Sequence, residues 1–267
     1  MKFLLTNDDG VFSIGIQTAA RRLAVAGHEV LIVAPDRERS GSGHAMTLDR
    51  PLVMNDVDRK FLLGDFTAKS CNGLPTDCVV LGLEALGFKP DMVISGINQG
   101  PNVADDLTYS GTACAAMEGL IAGYPALAMS LDSGSADPEV HNDTAAEVMM
   151  SLVSWFTEHP MEAGLMYNVN VPNVPLAELK GVRVTRKGVR RYNDKIRVVR
   201  SPSGSPAYWI GGHIDDELAD GTDVSAIAAK YVSVTPVHIE MTSFDALRRD
   251  KSGAMESTLD GLIRKNR

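Results

Sequence analysis

Two carboxylates stand side by side at Asp8-Asp9, directly after the apolar run Phe3-Leu4-Leu5 and inside Thr6-Asn7-Asp8-Asp9-Gly10. Like charges this close resist ionising together unless a cation lies between them or one keeps a proton. Adjacent residues of a regular strand face opposite ways, so both acids reach one ion only where the chain turns, and Gly10 permits such a turn. The pair therefore predicts a site for a hard divalent cation, with a purely local Asx-type turn as the alternative.

Three further segments carry related chemistry. Pro35-Asp36-Arg37-Glu38-Arg39-Ser40-Gly41-Ser42-Gly43-His44 sets serines between glycines, where backbone amides can face an anion. Ser95-Gly96-Ile97-Asn98-Gln99-Gly100-Pro101-Asn102, read as a loop, offers an amide oxygen at Asn98. Tyr109-Ser110-Gly111-Thr112 leads into a helix whose first amides and hydroxyls suit a phosphate. Each segment also has a plainer reading. Ser40 can close a turn, Asn98 can satisfy loop backbone, and Ser110 and Thr112 can be simple caps. His44 can bond backbone or act as an acid or base. Taken together, carboxylates, neutral oxygens and an anion pocket match metal-assisted transfer of a phosphoryl group to water. Two rivals stay open: a nucleotide-binding module or transferase that holds a diphosphate through its metal, and an enzyme with Asp8 or Asp9 as the nucleophile. The chain has no G-x-x-x-x-G-K-[ST] motif, no G-x-G-x-x-G opening the first helix and no G-x-S-x-G elbow.

These segments need a scaffold that brings them together. Ile16, Ala19, Ala20 and Leu23 recur at helical spacing before Gly27, which predicts a helix over 12–26, and Glu29 to Ala34 reads as a buried strand. The alternation continues with a helix from Pro75, a short strand at Met92-Val93-Ile94 and a helix over 112–122. A strand over 126–131, a helix over 144–156 and a strand over 166–171 follow. Continuous apolar strands alternating with helices predict an α/β fold of three layers, a Rossmann-like, doubly wound and mostly parallel sheet. In such sheets ligands bind beyond the carboxyl ends of the strands, so the loops should converge there.

Residues 1–180 are expected to form this core, and 181–267 a C-terminal arm with a core-returning strand at about 231–235 and a polar tail. Between Val182 and Arg200, seven arginines and lysines besides Arg200 interleave with valines at a period near two, broken at Asn193-Asp194. This predicts an exposed hairpin, either a solvated edge that resists aggregation or an arm that packs on a partner subunit or helps attract a phosphorylated ligand. Ser201–Pro206 reads as a loop, Asp223 to Ala229 as a short helix.

The 267 residues are 44% hydrophobic and 22% charged, ordinary for a globular chain, and their formal charge of −8 argues against a nucleic-acid partner. No apolar run has the length of a membrane span and the first strand follows without a leader, so a cytoplasmic protein is expected. Cys71, Cys78 and Cys114 form no metal-binding pair and are expected to be buried free thiols.

Over nearly its whole length the chain resembles the survival protein E (SurE) nucleotidases. The resemblance rests on the Asp8-Asp9 turn, Val33-Ala34-Pro35-Asp36-Arg37 with Ser40-Gly41, and Ser95-Gly96-Ile97-Asn98. It extends through Tyr109-Ser110-Gly111-Thr112, Asn168-Val169-Asn170-Val171-Pro172, and Gly221-Thr222-Asp223 with Tyr231 to Pro236. It implies a metal-dependent phosphatase acting on nucleoside 5′- and 3′-monophosphates, with some polyphosphate hydrolysis. By the same resemblance, Asp8, Asp9, Ser40 and Asn98 ligate one divalent cation per subunit, Mg²⁺ or Mn²⁺. Asn98, Ser110, Gly111 and Thr112 bind phosphate, with Asn7, Gly41 and His44 as supports, and the subunits form homodimers or homotetramers through exchanged C-terminal arms. The chain departs from the family pattern at Ala104 and at Ala229-Lys230, where glycine is usual; at Ala104 this raises the question of a backbone with positive φ.

Overall fold

In this computed structural model, which describes residues 1–134, 137–193, 196–249 and 253–265, thirteen strands and seven α-helices are formed by the described residues. In chain order the first are β1 (Lys2–Thr6), α1 (Ile14–Val25), β2 (Glu29–Pro35), β3 (Met54–Asp56), β4 (Thr67–Cys71), α2 (Pro75–Val80), β5 (Met92–Gln99) and α3 (Gly111–Ile121). Then follow β6 (Ala126–Asp132), α4 (Asn142–Glu158), β7 (Leu165–Pro172), β8 (Val182–Val184), β9 (Val189–Asn193), β10 (Ile196–Arg200), β11 (Pro206–Ile210) and β12 (His213–Glu217). The last are α5 (Asp223–Ala228), β13 (Val232–His238), α6 (Phe244–Arg249) and α7 (Ala254–Lys265). Two compact units result, Met1–Val237 and His238–Arg267, the second containing α6 and α7. The stretch beyond Arg248, expected as a polar tail, is thus helical over Ala254–Lys265.

Nine strands form one sheet in the order β3-β4-β2-β1-β5-β6-β7-β13-β8. β1 pairs in parallel with β2 and β5, and β5, β6 and β7 continue in parallel, whereas β3 runs antiparallel to β4 at one edge. Alternation along β1 divides the core: Phe3 and Leu5 join an apolar cluster with Ile16 and Leu23 of α1 and Met149 of α4. Leu4 joins a second cluster with Val79 of α2 and Ala113 and Ala116 of α3. Helices therefore cover both faces, as the buried parallel strands require. All three cysteines are buried and unpaired.

The chain leaves β1 toward β2 and β4 on one side and later returns to β5, β6 and β7 on the other. The strand order reverses between β1 and β5, and the crevice beyond their carboxyl ends is the natural place for a ligand in such a sheet. Asp8-Asp9 follows β1 there, and Asn98 lies near the end of β5.

Several elements differ from the sequence-based expectation. β5 continues through Ser95 and Asn98 to Gln99, with a bulge between Ser95 and Asn98 where it meets β6, so Asn98 belongs to a strand and not to a loop. β4, Thr-Ala-Lys-Ser-Cys, was not expected, since only Ala68 and Cys71 of its five residues are buried. The basic hairpin is organised differently. Val182–Val184 is an edge strand of the main sheet, parallel to β13, while β9 pairs with β12 and β10 with β11. The chain reverses at 201–205, where the Ser201 amide donates to the Ser205 carbonyl at 2.9 Å, and not at the Asn193-Asp194 break, whose Asp194 lies outside the described residues. Ala104 and Lys230, the positions where glycine was the family's habit, have φ of +51° and +63°.

Candidate functional site

The turn after β1 is fastened by Asn7. Its side-chain oxygen accepts from the Gly10 amide at 3.1 Å, and its Nδ2 donates to the Gly10 carbonyl at 3.0 Å and to Ser13 Oγ at 2.8 Å. Gly10 has φ of +99°, and a Cβ there would lie 3.1 Å from the Arg37 backbone, so the turn is closed to other residues by conformation and by space.

Asp8 and Asp9 leave this turn in unlike surroundings. Asp8 is buried, and burial pushes its carboxyl above the usual range, while the Thr112 hydroxyl and the Gly111 and Thr112 amides oppose that push by favouring the charged form. Thr112 Oγ1 donates directly to Asp8 Oδ1. Asp9 is pushed up to about 7, first by burial and then by the negative charge of Asp8, against a bond from the Gln99 amide to its Oδ2 at 3.1 Å. Two adjacent acids that resist ionising together are relieved by a cation placed between them.

The start of α3 forms the facing wall. Ser110 is its N-cap, with Oγ accepting from the Ala113 amide at 3.0 Å. A Cβ on Gly111 would lie 2.6 Å from Ser42 Oγ and 2.8 Å from Asp8 Cβ, so glycine keeps open a small gap between Asp8 and Ser42. Ser42 Oγ is itself buried and has no hydrogen-bond partner. Ser40 Oγ donates to Glu38 Oε1 at 2.6 Å, and Asn98 Nδ2 donates to the Gly100 carbonyl at 2.8 Å, which leaves the Asn98 oxygen as the group to offer a ligand.

A cavity of about 530 Å³ opens on these groups, a size suited to a small molecule. Asp8, Ser40, Gly41, Asn98 and Ser110 line it. Asp9, Gly111 and Thr112 do not, and the latter two hold Asp8 from the helix side. Asn7 stays within its turn, and His44 lies off the cavity with Nε2 3.0 Å from Glu118 Oε2. Among the described residues no group of three or more His, Cys, Asp or Glu side chains is gathered as a metal centre. In chemistry the residues present nonetheless fit a hard cation, since two acids and the neutral oxygens of Ser40 and Asn98 would supply an all-oxygen donor set, with an open gap at Gly111 beside Asp8 that a Cβ would fill.

Other residues of the cavity were given no role by the sequence, although Asn102 closes the third candidate loop. Asn102 forms part of its floor and is fixed from β7, its amide donating to Asn170 Oδ1 at 2.8 Å and its carbonyl accepting from Asn168 Nδ2 at 2.8 Å. Two asparagines at i and i+2 within an otherwise apolar strand were a usable signal of a buried polar network. Asp106 and Tyr192 also line the cavity, and Tyr192 donates to Asp106 at 2.7 Å. Burial first and the Asp106 carboxylate second push the Tyr192 phenol up to about 12, so it remains a donor. Nothing local in the sequence joins these two residues.

Comparison with known proteins places the family described as survival protein SurE on residues 3–194. The 5′/3′-nucleotidase SurE of Proteus mirabilis is 45% identical over 250 residues, covering 92% of this chain and 93% of that protein. The 5′-nucleotidase SurE of Carboxydothermus hydrogenoformans is 42% identical, covering 94% and 96%. Among solved structures, the SurE protein of Aquifex aeolicus superposes with a TM-score of 0.79 at 38% identity, covering 94% of this chain and 99% of the other.

Proposed function

The chain belongs to the SurE family, and on that premise we propose that it is a divalent-cation-dependent phosphomonoesterase releasing phosphate from nucleoside 5′- and 3′-monophosphates. Short-chain polyphosphate is a further substrate in the same reading. The observation that carries the proposal is the Asp8-Asp9 pair at the sheet's switch point, Asp8 buried and Asp9 half-buried, beside the first turn of α3 and a cavity of about 530 Å³.

Asp8, Asp9, Ser40 and Asn98 would hold Mg²⁺ or Mn²⁺, which when bound supplies polarisation of a phosphoryl oxygen and acidifies a water. The protein's own groups do the rest. Thr112 and the first amides of α3 orient Asp8 and favour its ionised form. Gly111 keeps the space beside it clear, and Ser110 at the positive end of α3 faces the cavity where the phosphate's charge would lie. The Asn102 network fixes the floor on which the nucleoside would rest.

The exposed Tyr208, Trp209 and Ile210 on β11 support a further role of the arm in pairing with other copies, as dimer or tetramer. No helix among the described residues is long and apolar enough to cross a membrane.

Phosphate release from 5′-AMP and 3′-AMP by metal-stripped protein, before and after adding Mg²⁺ or Mn²⁺, tests the proposal. Release restored by metal is expected in the wild type and reduced by roughly a hundredfold or more in Asp8→Asn. Full activity without metal, or unchanged turnover in Asp8→Asn, would overturn it.

A further inference from the structure

The short segment Ala104–Thr108, between β5 and α3, is held largely from a distant part of the chain. Its first residue, Ala104, sits at φ +51°, a region costly for any residue with a Cβ. Besides an internal bond from the Asp106 amide to the Val103 carbonyl at 3.1 Å, the Ala104 amide and the carboxylates of Asp105 and Asp106 are all held from beyond residue 180. The Ala104 amide donates to Asp223 Oδ2 at 2.9 Å, and Lys187 pairs with Asp105. Asp106 receives Arg190 Nη1 at 2.8 Å and the Tyr192 hydroxyl at 2.7 Å. Arg190 also grips Asp216 of β12 with two bonds of 2.7 Å, and its side chain is only 8% exposed.

Asp106 passes this hold to the site. Its backbone carbonyl accepts from the Tyr109 amide at 2.9 Å and the Ser110 amide at 3.0 Å, so the position of the Ser110 cap follows that of Asp106. We infer that the arm sets the phosphate-binding turn of its own subunit: Arg190 and Tyr192 are positioning residues that act through Asp106 on Ser110. The inference rests on the proposed phosphatase reading for its ligand, inorganic phosphate or a phosphate ester. It gives the β9–β12 ladder a part in the reaction that does not depend on contacts between copies. Arg190 has a second effect: it pairs with both Asp106 and Asp216, and without it each of these shielded carboxylates would lose its cation.

Calorimetric titration of the full chain with inorganic phosphate at fixed Mg²⁺, together with kcat and KM for 5′-AMP, tests this. Tyr192→Phe loses only a hydroxyl, and its phosphate affinity should fall about three- to tenfold with no change in melting temperature. Arg190→Met should lose about tenfold or more, because its bonds are charged and shielded. Arg191→Met, on the same strand but with a side chain 68% exposed, should match the wild type. Asp106→Asn with Tyr192→Phe should be no worse than Asp106→Asn alone, since both act on one link.

Should Arg190→Met fail to fold, Tyr192→Phe decides. Wild-type phosphate affinity in folded Tyr192→Phe, while the wild type hydrolyses 5′-AMP, overturns the inference and leaves the phosphatase reading standing. A wild type that neither binds phosphate nor releases it from 5′-AMP overturns both.

Discussion

The loops around Asp8 and the ladders of the arm stay in place by opposite means. The Asp8-Asp9 turn springs from a strand whose Phe3, Leu4 and Leu5 are fully buried, and Asn7 and Gly10 close it within a few residues. The arm's ladders, β9 with β12 and β10 with β11, are two-stranded, and Ile196, Val198, Tyr208, Trp209 and Ile210 all stand exposed. Isolated two-stranded ladders are marginal in water. The arm's firmest hold within the subunit is the shielded Arg190 pairing with Asp106 and Asp216. Apolar burial thus fixes the part that must resist the repulsion of two acids, and directed polar bonds fix the part that must meet a specific partner.

Changes placed in each region sharpen this contrast. The largest effect is expected from Gly111→Val, whose side chain would push on Asp8 and Ser42. Displacement of that kind should lower turnover by roughly a hundredfold while the protein melts as a folded chain. Near-normal rates with 5′-AMP would show that the gap is not used.

The same substitution made in core and arm compares the two regions directly. Ile94→Ala, at a fully buried strand position, should cost about 2–5 kcal/mol in urea unfolding. Ile196→Ala, at a residue 53% exposed, should stay within about 0.5 kcal/mol in the isolated subunit. Equal losses at both positions would break the contrast.

A smaller effect concerns pH. The Asp9 carboxyl is raised from 3.8 to about 7 in the folded protein, so the folded state holds this proton more tightly than the unfolded chain. Its contribution to stability is present in full below about pH 4 and is lost as pH rises through 7. In chelator, wild type should therefore lose on the order of 2–4 kcal/mol relative to Asp9→Asn between pH 5 and 8. Melting curves of the two proteins across that range give the difference, and parallel curves would refute the raised Asp9 carboxyl.

Much of the fold was legible because its elements advertise themselves over short stretches. Ile16, Ala19, Ala20 and Leu23 mark one face of α1, and the unbroken apolar run from Val30 to Ala34 marks a covered parallel strand. β4 was not legible, since Thr67, Lys69 and Ser70 show no apolar alternation and the strand is placed by pairing with β2. Asn98 was read into a loop because Gly96 interrupts the run, whereas the bulge keeps it paired with Ser130 of β6. The arm's two halves were joined at the wrong turn, because a basic and apolar alternation states that a strand exists but not which strand it pairs with.

The chemistry of the site divides the same way. Adjacent acids after a strand, serines between glycines and a cap before a helix are local patterns, and each residue type carries its meaning in its own neighbourhood. The link from Arg190 and Tyr192 to Asp106 spans 84 and 86 residues of chain, and the Asn102 bonds to β7 span 66 to 68. Such contacts exist only once the sheet has set the order of its strands. A side chain states what it can bond to, and the packed core decides what stands within 3 Å of it.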